Sequence, residues 1–474
     1  IKPEGPIIIS WSGPDDTENP QNWPRLLKAW VTCVISIYSF VVYCGSSIFV
    51  PSYEAMIAKF GHSEVVVSLV MALYVLGYGT GPLLFSPLSE IPSIGRNPPY
   101  VISFLLFIII SICLAVLDNF PAIVVLRFFQ GFFGSPCLAT GGATIYDIYS
   151  VSTAPYATAV WVACVYCGPA IGPLLGTQAV KNINWHWPLW QISIMGGTIL
   201  LLMICSLPET SSSNILRRRA RSLRKSTGNE NIIAPSELNP IKLSTHIKES
   251  LIRPMEIAIK DPAIGFVCIY ASFIYAIYYS FFEVFPIVYL DMYKMSPVSY
   301  SLIFLAIVAG CLVALSIWSI YQLQMKETQA ELISLNLHEK NLVPALPGVI
   351  LTPVGLFIFA WTARQSIHWI VPTLGIAIYA GATFGIFQSI FIYLPITYPQ
   401  FVASLLAASD FTRSATAAVV VIVSTYMYDN LGVSKGVTLL ASISILGIVG
   451  MFLFWIFGAS LRARSKFAAK GEVD

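Results

Sequence analysis

Residues 164–177 read Cys-Val-Tyr-Cys-Gly-Pro-Ala-Ile-Gly-Pro-Leu-Leu-Gly-Thr. Gly168, Gly172 and Gly176 recur every four residues, so on a helix they line one face and let a second helix approach closely. Pro169 and Pro173 remove two backbone donors and bend the helix that carries them. Glycine spacing of this kind is common in membrane helices, whereas a doubled Gly-Pro is rare. The stretch sits inside an apolar run, 156–180, and that run is one of twelve.

The other runs fall near 27–50, 65–89, 99–117, 121–146, 188–207, 262–290, 298–322, 348–363, 369–395, 402–428 and 437–460. A helix needs about 20 predominantly apolar residues to cross a bilayer, and these runs have that length within their uncertain ends. Of 474 residues, 56% are apolar and 11% charged, against roughly 25% charged in an ordinary soluble domain. This balance excludes a soluble enzyme, a nucleic-acid binder and a disordered chain. It predicts an all-α polytopic membrane protein with six spans on either side of a polar insert. The expected organisation is an N-terminal segment 1–26, a six-helix bundle 27–207, a basic linker 208–261, a second bundle 262–460 and a tail 461–474. Such a layout points to two related bundles, as in transporters built from repeats. The chain opens on a polar segment and not on a cleavable leader, so the first span is expected to stay as an anchor.

Lys and Arg give the orientation. With the N-terminus inside, twenty fall in inner segments, five in outer loops (Lys59, Lys181, Lys294, Arg364, Lys435), and Arg127 and Arg413 within spans. That asymmetry satisfies the positive-inside rule and places both termini in the cytoplasm. Six of the inner charges (Arg217, Arg218, Arg219, Arg221, Arg224, Lys225) cluster in the linker, where they read as a topology anchor. Segment 323–347 is expected to form an amphipathic helix on the membrane surface.

Little else carries chemistry. All nine cysteines lie in apolar stretches, and Cys164 and Cys167 sit mid-span, which favours packing over redox work. The five histidines are scattered without paired ligand spacing, so no metal is expected. No Walker-type loop or nucleophile elbow is visible, so neither a cofactor nor an enzymatic activity is expected.

Charges inside spans are functional candidates, because each costs roughly 2.5–3.5 kcal/mol in hydrocarbon on insertion scales. Arg127, Glu283, Asp410 and Arg413 are at depth, with Glu90 and Asp147 at inner rims. Asp410 and Arg413, at i and i+3, share a helix face and can neutralise each other. Arginine stays charged at physiological pH, so Arg127 can orient or tune but not titrate. Glu283, beside Phe281, Phe282 and Phe285, is therefore the expected proton carrier, with Asp410 as the competing carboxylate. Arg127 and Glu283 each lie roughly 10 Å in from the outer ends of their spans, so they are expected to approach each other. Expected cavity walls are Tyr38, Gln130, Tyr278, Tyr279, Phe282, Phe384, Phe387 and Gln388, an apolar lining with a few polar tips that suits lipophilic or cationic ligands.

Three further stretches join 164–177. Leu126-Arg127-Phe128-Phe129-Gln130-Gly131 lies in the fourth run, Ser86-Pro87-Leu88-Ser89-Glu90 leads to Gly95-Arg96 after the second, and Trp11 to Pro24 precedes the first. With the tail Leu461 to Lys466, the chain resembles the major facilitator superfamily, specifically its fungal twelve-span drug:proton antiporters, over essentially its whole length. In that resemblance Gly168, Pro169, Gly172, Pro173 and Gly176 form the antiporter motif of the fifth span. Arg127 and Gln130 match Arg-x-x-Gln-Gly, whose arginine is implicated in proton coupling. Glu90 and Arg96 fall in the gating loop, where Pro87 stands for the usual Gly and Glu90 for the usual Asp. The family's geometry places the inner end of span 11 beside that loop, so Glu90, Arg96, Asp410 and Arg413 are expected to gate the inner side.

The resemblance implies a monomer that works by alternating access in a fungal plasma membrane. Its implied function is proton-coupled efflux of small lipophilic compounds. The alternatives are a dedicated exporter of one metabolite (a toxin, polyamine or organic acid) and a non-transporting receptor.

Overall fold

In hydrocarbon every backbone N–H and C=O must be satisfied within the segment, so the apolar runs fold as helices. The computed structural model describes residues 6–238, 252, 255–325, 329–335, 337–398 and 402–465. Parts of the linker (239–251, 253–254), residues 326–328 and 336 of the expected surface helix, Lys2 and the tail from Lys466 lie outside the described residues.

The spans are Arg25–Ser47, Glu64–Glu90, Asn97–Val116, Phe120–Gly134 with Pro136–Ile148, Ala154–Asn182 and Trp187–Ser206 in the first half. The second half has Pro262–Phe285, Pro297–Ile303 with Leu305–Gln324, Ala345–Thr362, Ile370–Thr397, and a final helical run Val402–Arg464. That last run is 63 residues long, about 95 Å at 1.5 Å per residue, three times the hydrocarbon thickness. It is two spans joined at Gly432, whose φ of 74° and ψ of 164° reverse the chain. The loop expected between spans 11 and 12 is thus reduced to one residue.

Prolines shape the spans. Pro136 lacks the N–H that would bond the Phe132 carbonyl, and the Ser135 hydroxyl donates to that carbonyl instead, at 2.7 Å. Span 4 breaks there into its two pieces. Pro286 likewise ends the regular part of span 7, which continues as a π-helical stretch, Pro286–Met292.

Spans 1 and 5, 2 and 4, and 3 and 6 pack within the first half; 7 and 11, 8 and 10, and 9 and 10 pack within the second. The halves meet along spans 2 and 11 and along spans 5 and 8. Outward faces carry exposed aliphatics such as Ile102, Leu201, Val313 and Leu446. A soluble domain would bury so continuous an apolar surface; here it faces lipid, and the chain is a multi-pass membrane protein.

On the face carrying the chain's N-terminal segment (the terminal face), the linker forms a helix, Ser212–Thr227, capped by Ser211 and closed by Gly228 in the left-handed region. Ile7–Ile8 pairs in parallel with Ile232–Ile233. Arg219 Nη1 meets Asp16 Oδ2 at 2.7 Å, and Arg224 Nη1 meets Glu237 Oε2 at 2.9 Å. The basic cluster is therefore partly neutralised by acids of the chain itself and ties the N-terminal segment to the linker. Of the expected amphipathic surface helix, the described residues form one short helix and a turn. Gln329–Ser334 is only six residues, and the following turn His338–Leu342 buries His338, Glu339 and Leu342. Glu339 bonds Arg462 of span 12 at 3.0 Å, which draws this segment into the bundle.

Candidate functional site

The Gly-Pro stretch of span 5 lies flat against span 1. A Cβ at Gly168 would stand 2.8 Å from Tyr43 Cβ, one at Gly172 2.8 Å from the Cys44 carbonyl oxygen, and one at Gly176 2.0 Å from that of Ile48. Only glycine permits this approach. Pro173 has no N–H for the carbonyl of Pro169, four residues earlier, and the Ser47 hydroxyl of span 1 donates to that oxygen at 2.6 Å. Pro173 thus creates the acceptor that fastens span 5 to span 1.

On another face, span 5 meets the second half. Val162, Val165, Tyr166 and Pro169, Tyr275 and Tyr278 of span 7, Phe387 and Phe391 of span 10, and Arg413 of span 11 enclose a small central cavity. Its free volume is about 20 Å³, enough for about one water molecule. Hydroxyls seal it away from the terminal face: Tyr78 meets Tyr275 at 2.5 Å and Tyr279 at 2.9 Å, and Tyr279 meets Ser46 at 3.1 Å. Tyr278 donates to the Tyr166 carbonyl at 2.9 Å, and Tyr166 bonds Thr383. Towards the terminal face, Gln388 donates to the Pro155 carbonyl at 3.3 Å and Tyr156 stacks edge-on with Trp318. Contacts between the halves thus flank the cavity on both sides.

Of the expected wall residues, Tyr278 and Phe387 line this cavity and Phe384 packs behind Tyr166. Tyr279 and Phe282 form the seal above it, and Gln388 lies in the closure below. Tyr38 and Gln130 are elsewhere. Tyr38 donates to the Gly134 carbonyl and packs on Tyr100 and Phe104, inside the first bundle. Five residues are 1.4 helical turns, so Tyr43 and not Tyr38 faces the centre. Gln130 bonds Arg127 and Ser111, also within the first bundle.

Arg127 is fully buried. Its guanidinium donates to the carbonyls of Val70 and Ser46, at 3.1 and 3.2 Å, and to Gln130 Oε1 at 2.8 Å, and it stacks on Tyr74. These three bonds all lie inside the first half, and no ion pair with Glu283 is formed among the described residues. Glu283 lies across the seam and is 4% exposed. Among the described residues its Oε2 receives only Thr425 Oγ1, at 3.5 Å, and its Oε1 has no partner. Tyr53, with its hydroxyl also unpartnered, lies within Coulombic reach of both Arg127 and Glu283.

Asp410 and Arg413 form the expected ion pair. Its place differs from the expected inner gate. Gly79 packs against the Asp410 carbonyl and Ser414, and Gly79 is eleven residues from Glu90, about 16 Å along span 2. The pair therefore sits at mid-depth, with Arg413 stacked on Tyr275, Phe387 and Phe391 and donating to Tyr43 Oη at 3.3 Å. Glu90 lies within Coulombic reach of Arg96. Its expected meeting with the start of span 11 involves residues 399–401, outside the described residues.

The sequence pattern missed what Arg96 holds. Its Nε donates to Asp147 Oδ2 at 3.0 Å, its Nη1 to Ser89 at 2.9 Å, and its backbone N–H to Glu209 at 2.8 Å. One rim arginine thus joins the ends of spans 2, 4 and 6. It also missed Tyr78, although Gly77, Gly79 and Gly81 flank it, two residues apart, and press span 2 against spans 4 and 11.

The Major Facilitator Superfamily matches residues 35–420. The MFS-type transporter pyvG of Aspergillus violaceofuscus is 41% identical, over 99% of this chain and 87% of that protein. The cycloheximide resistance protein of Candida maltosa is 35% identical over 98% and 86%. Among solved structures, the human organic anion transporter MFSD10 shares the fold, with a TM-score of 0.64, 14% identity, and 90% of this chain and all of that one covered. Twelve spans among the described residues, arranged in two halves around a central cavity, agree with these matches, and the chain belongs to the Major Facilitator Superfamily.

Proposed function

We propose that this protein exports small lipophilic compounds in exchange for protons, as a monomer in the plasma membrane with both termini in the cytoplasm. The relative named for cycloheximide resistance supports efflux, and the aromatic cavity between the halves supports an apolar cargo. Glu283 carries the coupling: it is a buried carboxylate on the seam with one oxygen unpartnered and a long contact to the other. A group so poorly satisfied is stabilised by taking a proton and destabilised when it loses one. One pH unit supplies about 1.4 kcal/mol per proton, and 100 mV adds about 2.3 kcal/mol, enough for a several-hundred-fold gradient. Arg127, held by the first half, tunes that field without titrating.

Drug-dependent proton flux in proteoliposomes tests transport, coupling and direction together. Glu283→Gln abolishes pH-driven transport and leaves substrate binding that no longer changes between about pH 5 and 8. Should Asp410→Asn behave that way while Glu283→Gln stays coupled, the carrier is Asp410. A dedicated exporter is the second reading, favoured by a cavity whose polar tips are fixed by hydrogen bonds. A sensitive host protected against almost none of a panel of unrelated drugs identifies it.

A further inference from the structure

Arg413 is the only charged side chain among the nine that line the central cavity. It is 3% exposed. Its flat face is taken by Tyr275, Phe387 and Phe391, with ring centroids 5.1, 5.7 and 5.5 Å away. Its Nη2 serves Asp410 and Tyr43. The Nε–H is buried and has no acceptor among the described residues. A buried donor left unmade costs about 1–3 kcal/mol, more when it is charged, and native structures leave few such groups without a reason. Rings covering the guanidinium face leave the in-plane N–H directions for a ligand, and a planar fork of donors suits oxygen acceptors. Asp410, which balances the charge, does not line the cavity, so the cavity presents the cation and not the anion.

We infer that Arg413 is the polar anchor of the cavity and that its preferred ligands are lipophilic molecules bearing an accepting oxygen, carboxylate or enolate above carbonyl, in preference to ammonium compounds. This rests on the reading of the central cavity as the transport site and narrows the cargo that fits it. Tyr166, Tyr275 and Tyr278 also line this space but bear no charge. The walls that remain, Val162, Val165, Phe387 and Phe391, accept an apolar body.

The test is equilibrium binding to the purified full chain by fluorescence, using three probes with one fluorophore. These are dansylaminoundecanoate, its methyl ester, and dansylcadaverine, which ends in an ammonium. Wild type is expected to bind the carboxylate at least ten-fold more tightly than the ammonium, with the ester between. Arg413→Lys keeps a counter-ion for Asp410 but lacks the Nε fork. It is expected to weaken the carboxylate about ten- to hundred-fold, to weaken the ester less, and to leave the ammonium unchanged. Asp410→Asn combined with Arg413→Gln removes both charges and strands neither, so it covers the case in which Arg413→Lys fails to fold. That double variant should fold and lose the discrimination among probes.

A wild type that prefers the ammonium or binds none of the three overturns the inference. So does Arg413→Lys, or the double variant, binding the carboxylate as wild type does, since Arg413 is then only the partner of Asp410. Failure of the transport reading looks different: ordered binding of the probes with no flux in liposomes, which leaves the anchor standing.

Discussion

Replacing Gly172 with alanine tests the seam between spans 1 and 5. The added Cβ stands 2.2 Å from Ser47 Oγ, 2.8 Å from the Cys44 carbonyl oxygen and 2.9 Å from the Ile48 nitrogen. Ser47 can rotate away, but its hydroxyl then leaves the Pro169 carbonyl that Pro173 freed, a loss of about 1 kcal/mol. The two backbone atoms belong to a helix and cannot rotate, so the spans must part by a few tenths of an ångström. Overpacking of this kind costs about 1–3 kcal/mol. Alanine returns up to about 1 kcal/mol in helix propensity. The net expectation is a destabilisation of about 1–3 kcal/mol. Gly197, where a Cβ meets nothing within 4 Å, is the control: Gly197→Ala keeps only the propensity gain. Thermal unfolding of the purified variants should place Gly172→Ala below wild type and Gly197→Ala at or above it. Transport by Gly172→Ala should fall while equilibrium binding is largely retained, because Gly172 packs helices and does not line the cavity. Equal unfolding temperatures for the two variants, or parallel loss of binding and transport, would refute the reasoning.

Asp147→Asn removes the carboxylate that Arg96 grips at the rim. It should cost about 1–3 kcal/mol, the penalty for a partly buried partner left unpaired, and slow transport more than binding, read by unfolding temperature and flux. Gly432→Ala forces an L-residue to φ 74° and ψ 164°, a region essentially reserved for glycine, at about 1–3 kcal/mol. It should lower the unfolding temperature without changing the pH dependence of transport. Asp16 is held down to about 2 by the Ser12 N–H and Arg219. Since its folded value lies below its free value, the docking it supplies is complete above about pH 4 and is lost as pH falls through about 2. Hydrogen exchange of residues 7–22 should therefore be insensitive to Asp16 protonation between pH 5 and 8, yet rise sharply in Asp16→Asn. A pH-dependent opening in that range that Asp16→Asn abolishes would assign the titration wrongly.

Twelve helices, their approximate bounds and the division into halves were legible in the sequence because hydrocarbon imposes length and composition on each span separately. Gly168, Gly172 and Gly176 announced a close-packed face for the same local reason: helical periodicity alone puts them on one side. The i, i+3 pairing of Asp410 with Arg413 was readable too, since both partners lie on one helix. What the sequence left open depends on how each helix is rotated and how deeply it sits. Tyr38 and Tyr43 are equally aromatic, but only Tyr43 is turned to the centre. Arg127 and Glu283 lie at similar depth, yet the carbonyls of Val70 and Ser46 absorb the arginine before it reaches the seam. Asp147 and Glu209 gather on Arg96 from spans far apart in the chain. Rotation and depth are set by contacts between helices, which no single span encodes. Tertiary packing therefore decided which charges meet, and it left the buried Nε of Arg413 without an acceptor among the described residues.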